Sequence, residues 1–75
     1  MSHREEFADW LRERRQEAGL SQEQLAEKAG LHRTYISQLE RGLKSPTLDV
    51  LASLAEAMDM SLKAFLGQLA RRIGS

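Results

Sequence analysis

Along the chain, apolar side chains recur at three- and four-residue spacing in five stretches, each bounded by residues that start or stop helices. From Arg4 to Ala18 the pattern is Phe7, Trp10, Leu11 and Ala18 among charges, and Gly19 follows where a C-terminal capping glycine belongs. Ser21 is a candidate N-cap with Gln24 three residues on, a capping box, and Leu25, Ala26 and Ala29 give the second helix its inward face. That helix stops at Gly30. A third helix starts near Leu31 or His32, turns Leu31, Ile36 and Leu39 inward, and ends before Gly42. Its outer face carries Arg33, Thr34, Ser37 and Gln38. Residues 43–47 form a loop in which Pro46 sets the approach and Thr47 caps a fourth helix, with Leu48, Leu51, Leu54, Ala55 and Met58 on one side. Ser61 caps a fifth helix, over 61–73, whose Leu62, Phe65, Leu66, Leu69 and Ile73 make an apolar stripe. No strand pattern, internal repeat or low-complexity tract interrupts this series. The expected fold is a single all-α domain of five short helices covering residues 1–75.

The stretch from Gln22 to Arg41, QEQLAEKAGLHRTYISQLER, would read as one amphipathic helix but for Gly30. Glycine reaches positive φ without the steric cost of a Cβ, so the chain can turn sharply there and restart. Leu25, Ala26, Leu31, Ile36 and Leu39 then hold the two helices together, and the small Ala26 lets them approach. That is the geometry of a DNA-binding helix-turn-helix, whose second helix enters the major groove. A helical hairpin in a general bundle is the plainer alternative. Against it, the outer face of the third helix lacks the Glu–Lys pairs at four-residue spacing that a merely solvated face usually carries.

These residues also resemble a known family. The pattern GLSQEQLAEKAGLHRTYISQLERG followed by SPTLDVLASLAEAMDMSLKAFL is similar to the lambda-repressor-like, or Cro/XRE-type, regulators of bacteria and phages. The likeness runs from the first helix to about Leu66, and LHRTYISQLERG is similar to controller proteins of restriction-modification systems. It implies a compact five-helix DNA-binding domain with base contacts at Arg33, Thr34, Ser37 and Gln38. Arg33 can pair bidentately with guanine and Gln38 with adenine, while the two hydroxyls suit a base or a phosphate.

Phosphate contacts fix register without reading sequence. Gln22 opens the second helix, where backbone N–H groups and the helix dipole favour an anion, and the matching glutamine of the family contacts the backbone. Tyr35, Arg41 and Lys44 are further candidates, although the Tyr35 ring can equally pack on a neighbouring helix. His32 is expected to cap the third helix or to touch a phosphate. Arg15 and Glu40 occupy positions where related domains carry an internal ion pair, which would join helix 1 to the end of helix 3.

Seventy-five residues make one small domain, which buries only about 60% of its unfolded surface. With 41% apolar and 29% charged residues the chain has a globular composition, and without cysteine it has neither disulfides nor a thiolate metal site. His3 and His32 lie far apart with no supporting ligands, so no metal or cofactor is expected. No glycine-rich elbow or carboxylate cluster gathers serine, histidine and aspartate, so the chain is not expected to be an enzyme. It lacks a long apolar run and a signal-peptide order, which points to the cytoplasm and away from membranes. Net charge is zero, but 21–44 holds four basic groups against three acidic, so a small basic face decides the matter.

The expected function is that of a sequence-specific transcriptional regulator that binds a two-fold operator in double-stranded DNA as a homodimer. RNA polymerase is a further candidate partner. Phe65 plugs the monomer core, and Leu62, Leu66, Leu69 and Ile73 are then a surplus stripe that pairing of helix 5 with its copy would bury. The plainer reading is that these four complete the monomer's own core. A different class of function is an antitoxin that neutralises a toxin and binds its promoter secondarily. Antitoxins commonly add a tail for the toxin, whereas this sequence ends at Ser75, soon after helix 5, and shows no separate effector domain.

Overall fold

The computed structural model describes residues 2–74. It contains α1 (His3–Glu17), α2 (Gln22–Ala29), α3 (Arg33–Glu40), α4 (Leu48–Ala57) and α5 (Leu62–Ile73), with no strand among the described residues. Short-range chemistry sets most boundaries. The side chains of Ser2, Ser21, Thr47 and Ser61 each accept an N–H of the first turn that follows, from Glu5, Gln24, Val50 and Ala64. Ser2 was not among the expected caps; through it α1 begins at His3, one residue before Arg4. At Ser21 the capping box is complete, since Gln24 Oε1 accepts the Ser21 N–H at 2.9 Å.

At Gly30 the backbone enters the left-handed region, φ 70°, and Leu31 N–H donates to Ala26 O at 2.9 Å, which closes α2 and turns the chain into α3. α4 closes the same way on a residue that is not glycine: Asp59 has φ 58°, and Met60 N–H reaches Ala55 O at 2.9 Å.

The core is shared by all five helices. Phe7, Trp10 and Leu11 of α1 meet Leu25 of α2, Ile36 and Leu39 of α3, Leu54 of α4 and Phe65 of α5, all buried. Phe65 stands edge-on to Trp10 with ring centroids 4.8 Å apart, a favourable arrangement that ties the last helix to the first. α3 packs against both α1 and α2, and α5 against α1 and α4.

One inward assignment is overturned. Leu48 is 64% exposed. At about 100° per residue it shares a face with buried Ala55, but it is the first residue of α4, about two turns before Ala55, and lies at the helix end beyond the buried residues Leu54, Ala55 and Ala57. Val50, not assigned to the core from the pattern, packs against it instead.

Candidate nucleic-acid interface

The exposed side of α3 emerges beside the start of α2. Arg33 and Thr34, in the first turn of α3, are exposed, while Ser37 and Gln38, one turn on, are half-buried. Gln22, Arg33, Thr34 and Ser37 line one open cleft of about 250 Å³ at the junction of the two helices. Among the described residues Arg33 forms no ion pair, and the side chains of Thr34, Ser37 and Gln38 make no hydrogen bond. Arg41 follows the last turn of α3 and Lys44 lies in the loop beyond; both are exposed and neither is ion-paired. The structure therefore gathers Gln22 with three of the four candidate base contacts and sets Arg41 and Lys44 at the far end of α3.

His32 occupies the N-cap position of α3, but its side chain makes no capping hydrogen bond, which corrects the expected capping role. The backbone does this work: His32 O accepts the N–H of Tyr35 at 3.0 Å and of Ile36 at 3.2 Å. The exposed imidazole reaches no first-turn N–H. Tyr35 is half-buried with its side chain packed against the core.

Behind this surface lies a buried carboxylate. Glu40, 5% exposed, accepts Arg15 Nε at 2.6 Å and Arg15 Nη2 at 3.0 Å, and Arg15 Nη1 also donates to Leu20 O at 2.8 Å. This bidentate pair joins α1 to the end of α3. Gln22 Nε2 donates to the same carboxylate at 3.2 Å, a contact that the spacing of the residues gave no sign of. Reading Gln22 and Glu40 as possible partners would have required knowing that α2 begins beside the end of α3.

Elsewhere, Leu69 packs against the core and, with Phe7, Pro46, Leu51 and Ile73, lines an apolar groove of about 170 Å³. Leu62, Leu66 and Ile73 are half-buried. An exposed ion pair, Arg72 Nη1 to Glu13 Oε1 at 3.0 Å, pins the end of α5 to α1. The Arg72 hydrogen bond, with its charge, holds the Glu13 carboxyl below its ordinary pKa. No group of three or more histidine, cysteine, aspartate or glutamate side chains among the described residues could hold a metal.

The profile of the helix-turn-helix family matches residues 11–65, which takes in α2, α3 and α4 whole, the later part of α1 and the first turn of α5. The chain belongs to the helix-turn-helix family. Its relatives are transcriptional regulators of the Cro/XRE type. This helix-turn-helix chain is 46% identical over 66 residues to the control protein C.SmaI of Serratia marcescens, covering 88% of this chain and 79% of that one. It is 44% identical over 52 residues to an HTH-type transcriptional regulator of Mycobacterium tuberculosis, covering 69% of this chain but only 37% of the mycobacterial protein. Its fold superposes on the restriction-modification controller protein C.Esp1396I, solved as a tetramer with its natural 35 base-pair operator. The TM-score is 0.87 at 29% identity, over 100% of this chain and 99% of that one.

Proposed function

We propose that this chain is a sequence-specific regulator that binds double-stranded DNA as a homodimer on a two-fold operator, with α3 in the major groove. The observation that carries the reading is the uncommitted face of α3: Arg33 and Thr34 stand exposed in its first turn with no partner of their own, beside Gln22 in one cleft. Helix-turn-helix proteins read base edges with that part of the second helix. Arg33, Thr34, Ser37 and Gln38 serve as base contacts. Gln22, His32, Tyr35, Arg41 and Lys44 serve as phosphate contacts from the ends of α2 and α3. The likeness to C.SmaI and C.Esp1396I supports control of a restriction-modification operon. RNA polymerase is the partner through which such a regulator would activate. The chain performs no reaction of its own and acts in the cytoplasm; no helix among the described residues is long and apolar enough to cross a membrane.

The dimer is formed through α5, by Leu62, Leu66 and Ile73 with Leu69 beneath them, and this sets the two recognition helices about 34 Å apart, one turn of DNA. Selection of bound duplexes from a random pool, followed by titration at several salt concentrations, tests the whole reading. Arg33→Ala and Gln38→Ala should lose preference for the selected sequence yet keep weak general binding, while Arg41→Ala should weaken binding to all sequences and flatten the salt dependence by about one unit of log–log slope. An unchanged specificity ratio in Arg33→Ala would remove α3 as the reader.

A further inference from the structure

Glu40 sits where a core contact meets the outer surface. Arg15 holds its carboxylate from α1 with two hydrogen bonds, and the oxygen that accepts Arg15 Nη2 at 3.0 Å also accepts Gln22 Nε2 at 3.2 Å. Gln22 is half-buried, is the first residue of α2, and lines the cleft that holds Arg33 and Thr34. A chain of three side chains thus runs from α1 to the proposed DNA surface.

The chemistry of the ends matters. A carboxylate only accepts hydrogen bonds, so Glu40 draws the NH₂ end of the Gln22 amide toward itself. Phosphate oxygens also only accept. The amide nitrogen carries a second N–H, and that is the donor Gln22 keeps for a DNA backbone. Without Glu40, a flipped amide that turns its own oxygen toward phosphate becomes equally accessible, and the side chain must be frozen when DNA arrives.

We infer that Glu40 is a positioning residue for DNA binding: its buried carboxylate, held by Arg15, sets the orientation of the Gln22 amide before the duplex arrives. The inference rests on the DNA-binding reading above. It makes a prediction opposite in sign to simple electrostatics. Removing a negative charge near a polyanion should tighten binding, whereas losing the orienting carboxylate should weaken it.

Glu40→Gln keeps the shape and replaces one accepting oxygen with a donor. One neutral oxygen is then left for three donors, Arg15 Nε, Arg15 Nη2 and Gln22 Nε2, so the hold on the Gln22 amide loosens. Measured by fluorescence anisotropy with the whole chain and a duplex recovered from the random pool, Glu40→Gln should bind about tenfold more weakly, the cost of freezing one glutamine side chain. In a Gln22→Ala background the same substitution should cause no weakening. Nuclear magnetic resonance of the free protein supplies an independent readout. The two Nε2 protons of Gln22 should lie further apart in shift than those of exposed Gln16, and should move together in Glu40→Gln. Wild type that binds while Glu40→Gln binds as tightly or more tightly overturns this inference alone. A wild type that binds no duplex overturns the DNA-binding reading, and this inference with it. If Glu40→Gln does not fold, the wild-type spectrum decides, and Gln22 protons that match those of Gln16 overturn the proposal.

Discussion

Cutting the Arg15–Glu40 pair with Glu40→Ala tests how much of the fold depends on a single buried charge. The two side chains are 12% and 3% exposed, and the carboxylate takes two hydrogen bonds from the guanidinium at 2.6 and 3.0 Å. With the carboxylate gone, the guanidinium keeps only the Leu20 carbonyl among these partners, and Gln22 loses its acceptor. Breaking a buried pair by removing one partner typically costs about 3–5 kcal/mol, because the other charge is left without compensation. A domain of this length holds only roughly 4–11 kcal/mol in total, so most of its stability is at stake. At about 4–8 °C per kcal/mol for a domain of this size, the melting midpoint should fall by at least roughly 12 °C. Thermal melts followed by circular dichroism read this directly, and a midpoint within about two degrees of wild type would refute it. A second variant isolates the cause. Arg15→Met with Glu40→Leu removes both charges and fills similar volume, so it should recover much of the loss. A double variant as unstable as Glu40→Ala would mean that packing, not the stranded charge, explains the damage.

Leu66→Glu should give a folded monomer that binds the selected duplex weakly, seen by sedimentation, whereas Leu69→Glu should also unfold, because Leu69 packs on the core; a Leu66→Glu variant that stays dimeric would exclude that face. Asp59→Gly should raise the melting midpoint by about 4 °C, since an L residue in the left-handed region costs about 1–2 kcal/mol, partly offset by the greater freedom of glycine in the unfolded chain. Arg72 lowers the Glu13 pKa in the folded state, so the pair stabilises above the ordinary carboxylate range and that contribution is lost as pH falls through the lowered value. Protection factors of amides in the last turn of α5, taken against the intrinsic exchange rate at each pH, should therefore fall as pH drops through the carboxylate range, and Glu13→Gln should abolish that dependence.

The features legible in the sequence are those that short-range chemistry decides. Ser21, Thr47 and Ser61 cap the helices that follow them, and Gly30 turns the chain between α2 and α3; each needs only neighbours within five residues. Direction is harder. Leu48 fits a helical stripe with Leu51 and Ala55, and those two do face the core, yet Leu48 itself is exposed as the first residue of α4, about two turns before Ala55, so how far the core reaches along the helix decides it. Leu69 looked like surplus on α5 until α1 and α4 were in place around it. His32 sits at a cap position, but its ring reaches no backbone donor. In the site, α3's outer face was readable from residue types, while the Gln22–Glu40 contact joins residues 18 apart whose meeting depends on how α2 and α3 pack.

A chain with no net charge can still present a positive face, because charges separated by more than about 8 Å are largely screened at physiological salt. Placement then matters more than the sum. The four ion pairs among the described residues all involve an arginine of α1 or α5, and they occupy Asp9, Glu13, Glu17 and Glu40. Between Gly30 and Leu48 the only carboxylate is Glu40, and it is buried against Arg15. That segment therefore offers Arg33, Arg41 and Lys44 to solvent with no free acid among them. Exposed acids of the neighbouring helices, Glu23 and Glu27 of α2 and Glu5 of α1, which lines a cleft with Arg41, limit the reach of this field. Three cations are a modest hold on a polyanion, since each phosphate neutralised adds only about 0.9 to the salt slope. In the proposed dimer the number doubles without adding a residue, so zero net charge does not oppose the proposed DNA binding in a domain this small.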